Sequence, residues 1–410
     1  SGADTINAYL DYSSGIPAGD WSKGGSVHFY GDKPGSGWTT WRSFITSNTS
    51  TRVSFSLDKN PSWIRTFHAP VDKGDFFLQG IKEAIDYQNE WYLDEDANKL
   101  YVQLPDGAEP TENQIQMRKR ITTIDLNSRN YIHIKNLAVF GGSIEITNGA
   151  SNNHIYGITS LHGNNTLGVA RGFAANSQSI NIRGGSNNII EKSEIGFGSG
   201  TGIYDSGNYT QIINSYIHDF NYLGNYDAII NARGGNNTKV LNNIITRAGR
   251  DAIQGFNRNA EYAYNDISYS NLIADDCGLF YTVGGPHNSV IHHNWFHDAY
   301  SSGTKKKATA IYLDNDAEGY DVHHNVIWNT EWSNIQINWS GKDLNIYNNT
   351  LWNGSTTMGA WHKEGTAFSN VNVWNNISDK NSWEPQSDKQ NNLTLASDTF
   401  LDFANKDFRL

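Results

Sequence analysis

A single cysteine, Cys277, stands in 410 residues, so no disulfide can form within the chain and its thiol content says little about redox compartment. Proline is scarce at eight residues, and only 18% of the chain is charged. No apolar run approaches the length that crosses a membrane, and no segment carries a convincing amphipathic helical pattern. Basic residues are outnumbered, 31 against 42 acidic ones, for a net charge of −11. The long-range field therefore repels nucleic acid and anionic membranes, which excludes both as general partners. The first residues read SGADT without an initiator methionine. That start suggests a mature or excised form whose signal peptide has been removed, and secretion, extracellular or periplasmic, is the expectation.

Glycine and asparagine are what the chain has in quantity, and they punctuate a repeat. Ten short segments share one pattern: IHIKNL, HIYGIT, IIEKSEI, QIINSYI, KVLNNII, YAYNDIS, VIHHNWF, DVHHNVI, NIYNNTL and NVWNNIS. Their Asn-like positions are Asn136, Gly157, Ser193, Ser215, Asn243, Asn265, Asn294, Asn325, Asn349 and Asn376, spaced 21 to 36 residues apart. Short β-type runs broken by turn residues at an irregular period in the twenties predict an all-β solenoid of about ten stacked coils over 121–380. The Asn side chains are expected to stack coil over coil as scaffold.

Residues 1–120 do not follow the repeat. They hold aromatic, alternating runs, SVHFY at 26–30, WTTWRSF at 38–44 and RVSFSL at 52–57, and a hairpin in which NEWYL and KLYVQL flank DEDAN. This reads as a β-rich subdomain that caps the open first coil, which needs a cover for its unpaired strand edge. Residues 381–410 read as a short β tail.

A second register follows the Asn positions, in GIYDS, AIINA, AIQGF, GLFYT, AIYLD and NIQIN, preceded by Thr201, Asp227, Asp251, Cys277, Thr309 and Ser333. Asp227 and Asp251 are thereby expected at equivalent places on successive coils, about 4.8 Å apart, with Asp275 and Asp276 one coil later. Such a pair suits glycoside hydrolysis or metal binding. Like charges this close raise one another's pKa. The competing reading makes Asp227 and Asp251 turn-forming residues and Asp275 and Asp276 solvated loop positions.

The repeat resembles the right-handed parallel β-helix superfamily of pectate lyases, polygalacturonases and related polysaccharide-degrading enzymes. RDAI at 250–253 and ADDC at 274–277 are similar to the three-aspartate pattern of polygalacturonase-like glycoside hydrolases. The resemblance implies general acid/base hydrolysis by Asp251, Asp275 and Asp276, and the register adds Asp227 as an assisting or pKa-tuning group. The family's Gly-His-Gly is replaced by VGGPHNS, where His287 is a loose substitute, and its Arg-x-Lys is missing, which departs from a pectin substrate.

Around these residues, Arg250 is the candidate anion binder. Arg247 is a second, although Asp219 one coil earlier at the same ladder position predicts a structural salt bridge for it. Lys305 and Lys306 in TKKK at 304–307 lie in an insertion that borders the groove, and Asp314 closes the following strand as a fifth acidic group. Tyr281, Tyr312 and Trp339 are candidates for stacking on sugar faces. His218 and His297, in IHD and FHD, share an offset with Trp328 and Trp352 and read as a stacked ladder, and His292, His293, His323 and His324 form paired positions.

The expected activity is a secreted glycoside hydrolase, endo-acting on an anionic algal or plant polysaccharide, sulfated like a fucan or carrageenan or rich in uronates, working as a monomer without a cofactor. The alternatives are a lyase of the same fold, in which the acidic cluster holds Ca²⁺ and a Lys or Arg abstracts the C5 proton, and a non-catalytic glycan-binding module.

Overall fold

A computed structural model describes residues 5–30, 37–58, 74–164 and 177–409. The described residues fall into two compact units, one up to Arg118 and one from Lys119 onward.

The first unit contains an antiparallel sheet in the order Thr5–Asp11, Arg52–Asp58, Trp41–Asn48, Ser26–Phe29, Phe76–Gln79. Alternation along these strands sends Val27, Phe29, Trp41, Ile45, Val53 and Phe55 to a common interior with Trp21, all buried. A separate hairpin pairs Trp91–Asp94 with Lys99–Val102, as the turn sequence DEDAN predicts.

The second unit is a β-solenoid. Its strands form one sheet of nineteen and another of eleven, every neighbour parallel to the next coil's equivalent strand. Cross-coil register stacks like on like. One interior column runs Ile144, Ile180, Ile203, Ile230, Ile253, Phe280, Ile311, Ile335, Met358, and none is more than 4% exposed. A second runs Ile155, Ile190, Ile212, Val240, Tyr262, Ile291, Val322, Ile346, Val373. Each such side chain contributes about 1.5–3 kcal/mol on burial, and the columns replace a globular core.

The turns are held by the expected Asn ladder. From Asn243 through Asn265, Asn294, Asn325, Asn349 and Asn376 to Asn392, each Nδ2 donates to the next Oδ1 at 2.9–3.0 Å. Each Nδ2 also donates to a backbone carbonyl, for example Asn294 to Tyr262 O at 2.9 Å, so both amide groups are satisfied in the interior. Ser193 and Ser215 extend the same line. Asn136 and Gly157, expected on it, sit one position earlier. They align with Lys192, Asn214 and Asn242, a column of left-handed residues (φ 48–61°) where the chain turns.

Parallel pairing continues past residue 380. Asp388–Gln390 and Leu393–Thr394 join the two sheets as a further partial coil. Beyond them Phe400, Phe403 and Phe408 pack on Trp328 and Trp352.

Candidate active site

Of the four aspartates expected to converge, Asp251, Asp275 and Asp276 lie close enough to Cys277 for their charges to act on its thiol, and Asp227 falls out of line. Register pairs Ala228, not Asp227, with Asp251, so Asp227 lies one residue out of line and faces a different way. It is 6% exposed, and its Oδ1 accepts a 3.0 Å hydrogen bond from Thr201 Oγ1. Cys277 is out of line by the same step, paired with Ala308, while Gly278 pairs with Thr309.

Asp251 is fully enclosed. Ala252 and Ile253 both face the core, and the Asp251 oxygens accept from Arg250, from Gln254 Nε2 at 2.9 Å and from the Gly278 N–H at 3.1 Å. Burial raises its carboxyl pKa, and the Arg250 guanidinium and these donors pull it back. Asp275, 2% exposed, is saturated by four backbone N–H groups, of Asp276, Lys305, Lys306 and Lys307, at 2.7–3.1 Å. It is the anchor of the lysine loop. Gly303 has to be glycine for this, because a Cβ there would lie 2.4 Å from Asp275 Oδ2. Asp251 and Asp275 are both buried and held by protein donors, unlike Asp276, so the three carboxylates of the motif do not present a common exposed face.

Asp276 and Asp314 do come together, at the surface. Asp276 takes a left-handed turn, φ 55°, and its carboxylate accepts from Lys307 Nζ at 3.0 Å and from the Tyr312 hydroxyl at 2.9 Å. Asp314 accepts from the Tyr281 hydroxyl at 2.9 Å and Asn338 Nδ2 at 2.7 Å, and the same Nδ2 donates to the Tyr312 oxygen at 2.9 Å. Three hydrogen bonds thus link the two carboxylates. Laid end to end they stay inside the upper limit of about 9.5 Å for the carboxyl pair of a glycosidase.

Burial, and after it the charge of Asp276, raises the Asp314 carboxyl to about 6. Burial also lifts the Tyr281 and Tyr312 hydroxyls well above their ordinary range, and the neighbouring carboxylates reinforce the shift. The side chain of Asp276 is 15% exposed and that of Lys307 34%, so the pair opens to solvent. Trp332 closes one side, edge-on to Tyr312 at 5.8 Å and 5.1 Å from the Lys307 ammonium.

Arg250, expected to capture an anion, is 1% exposed and bound to Asp251. Its guanidinium lies 4.3 Å from the Tyr226 ring and 4.9 Å from the Tyr281 ring, so it supports Tyr281 from beneath. Arg247 makes the salt bridge predicted for it, Nε to Asp219 Oδ1 at 2.8 Å. His287 is buried against Phe256 and Tyr320, with Nε2 3.3 Å from Val283 O, and takes no part at the carboxylates. Lys305 and Lys306 meet Asp275 through their backbones, and Lys306 Nζ pairs with Glu331 at 3.4 Å. Tyr281 and Tyr312 are hydrogen-bonding members of the site, too buried (4% and 3%) to offer a ring face. Trp339 is half-buried, edge-on to Trp361. His297 stacks on Trp328 at 4.4 Å, and His292 with His323 and His293 with His324 stack in the same manner.

The residues not singled out from the sequence are Asn338, Trp332 and Trp361, and Lys307 stood in the TKKK run without being distinguished from its neighbours. A signal for Asn338 was present, since AIYLD and NIQIN place Asp314 and Asn338 at the same offset on successive coils. The calcium arrangement fits poorly. Ca²⁺ takes 6–8 oxygen ligands, whereas Asp276 and Asp314 supply two carboxylates, one already against Lys307. Among the described residues no group of three or more His, Cys, Asp or Glu is placed to hold a metal ion.

Comparison with curated protein sequences gives no match. Among solved structures, one described as a glycoside hydrolase is similar over 88% of this chain and 71% of its own, at 12% identity and a TM-score of 0.59. The pectate lyase Pel9A is similar over 68% and 74% at 11% identity and a TM-score of 0.48. An alginate lyase from Paenibacillus sp. str. FPU-7 is similar over 67% and 99% at 13% identity and a TM-score of 0.40. Residues 150–327 match the family model described as "Right handed beta helix region", and with the coil-to-coil parallel pairing above, the fold is a right-handed parallel β-helix.

Proposed function

We propose that the protein is a secreted glycoside hydrolase that cuts within a polysaccharide, with Asp314 as proton donor and Asp276 as the second carboxylate. The observation that carries this is the pairing itself: two partly exposed carboxylates on successive coils, one raised to about 6 and the other held by a lysine ammonium. A carboxyl poised near neutral pH protonates a leaving glycosidic oxygen efficiently. Asp276 then activates water or attacks the anomeric carbon itself, the two geometries available to such pairs. The fold shared with a structure described as a glycoside hydrolase supports the reading. Internal cleavage is read from the position of the pair in the middle of the coil stack, and secretion from a polymeric substrate too large to enter a cell.

Elimination fits the site less well. Abstraction of a C5 proton needs a base; the two nearby tyrosine hydroxyls are pushed away from ionisation, and the Lys307 ammonium is paired with Asp276. Incubation with a panel of neutral, uronate and sulfated polysaccharides tests the proposal. New reducing ends without ultraviolet-absorbing unsaturated products support hydrolysis. Unsaturated products establish a lyase instead, and binding without any product establishes a glycan-binding module.

A further inference from the structure

Strand alternation puts every second residue of the longer coil strands outward, and register makes those residues a row. Arg233 pairs with Phe256, Val283 with Asp314, and Asn338 with Trp361. The adjoining pairs Gln254 with Tyr281 and Leu313 with Ile337 join these into one line: Arg233, Phe256, Val283, Asp314, Asn338, Trp361. Asp314 sits in the middle of it. At about 4.8 Å per coil, Arg233 stands about 14 Å to one side and Trp361 about 10 Å to the other. One coil is close to the length of one sugar residue, so a glycan chain along this row meets one coil per sugar.

Both flanks carry a cation seated on an aromatic ring. The Arg233 guanidinium lies 4.3 Å from the Phe256 centroid, and Lys363 Nζ lies 4.5 Å from that of Trp339, which is edge-on to Trp361. Arg233, Lys363 and Trp361 are exposed. A ring face orients a cation without neutralising it. Among the described residues no carboxylate pairs with either side chain, on a chain whose net charge is −11. Arg250 and Arg247, in contrast, are both engaged with aspartates.

We infer that Arg233 and Lys363 are two anion-binding subsites bracketing Asp276 and Asp314, which take carboxylate or sulfate groups of an acidic polysaccharide. The inference rests on the proposed hydrolytic pair for the direction in which the glycan lies. Arg233 addresses a sugar about three residues from the cut on one side, and Lys363 with Trp361 a sugar about two residues away on the other. A guanidinium takes either anion through paired hydrogen bonds.

The test is calorimetric binding to the intact chain carrying Asp314→Asn, which halts turnover, using hexasaccharides of galacturonate, of a sulfated galactan and of neutral galactan. At least one acidic hexasaccharide is expected to bind and the neutral one to bind more weakly. Adding Arg233→Gln or Lys363→Gln is expected to lower affinity for the acidic ligand about tenfold or more, the loss of a charged hydrogen bond, and to leave neutral binding unchanged. Which acidic hexasaccharide binds distinguishes carboxylate from sulfate. Equal binding of acidic and neutral ligands, no effect of either substitution, or no acidic binding overturns the inference. Cleavage by the unsubstituted enzyme that is indifferent to Arg233→Gln removes this inference and leaves hydrolysis standing. Arg233-dependent binding with no cleavage of any glycan does the reverse.

Discussion

Replacing Asp314 by Asn should make the protein inactive and, above pH 6, more stable. The carboxyl is raised from 3.8 to about 6 by burial and by Asp276. Its folded pKa therefore exceeds its unfolded one. The contribution of this group to stability is fully present below pH 4 and is lost as pH rises through 6. Two pKa units correspond to about 2–3 kcal/mol, so at pH 8 the ionised side chain opposes folding by about that much. Asparagine copies the neutral acid. Its oxygen still accepts from Asn338 Nδ2, and its amide can donate to the Tyr281 hydroxyl, which today donates to Asp314. The variant should melt several degrees above the unsubstituted protein at pH 8 and at the same temperature at pH 4, followed by tryptophan fluorescence. Its turnover should fall by about 10²–10⁴-fold, the usual worth of a positioned general acid. A variant less stable at both pH values would refute the reasoning, because Asp314 would then be an ionised structural acceptor.

Asp276→Asn removes a charge that raises Asp314, so the basic limb of the kcat/KM profile of any residual activity should move from about pH 6 to lower pH. An unmoved limb would separate the two carboxylates. Asn294→Ala breaks the ladder at its middle and strips partners from Asn265, Asn325 and Tyr262 O, so denaturant titration should show a loss of several kcal/mol, at about 1–3 kcal/mol per orphaned buried group. Asn392→Ala at the ladder's end should cost less. Asp275→Ala frees the four N–H groups it gathers and should expose the 304–307 loop to limited proteolysis, with activity lost through displacement of Lys307. Arg250→Met should destabilise by about 3–5 kcal/mol by leaving Asp251 buried and unpaired, whereas a rim anion site would tolerate it.

The repeat was legible because its signal is local. The Asn positions, the apolar columns and the Asp219–Arg247 pair all follow from counting within a coil. What the sequence hid was register by a single residue and cover by neighbouring residues. Asp227 and Asp251 both precede an apolar strand, yet Asp251 pairs with Ala228, and no spacing rule distinguishes a strand's first residue from the one before it. Arg250 looked free beside a carboxylate, but Tyr226 and Tyr281 close over it. Asp275 and Asp276 are adjacent in sequence and opposite in fate, because the left-handed turn at Asp276 sends one inward to the loop backbone and the other out to Lys307. Asp314 was visible as a fifth acid, and its importance emerged only with Asn338 and Tyr312 beside it.

The central claim is that chemistry belongs to Asp276 and Asp314. The most direct measurement is reducing-end release from the best polysaccharide substrate by four single Asp→Asn variants, at 227, 251, 276 and 314, each first shown by circular dichroism to be folded. The account predicts that Asp276→Asn and Asp314→Asn lose turnover while keeping glycan binding, and that folded Asp227→Asn and Asp251→Asn keep it. Full activity in Asp314→Asn, with activity abolished in a folded Asp251→Asn, would contradict it.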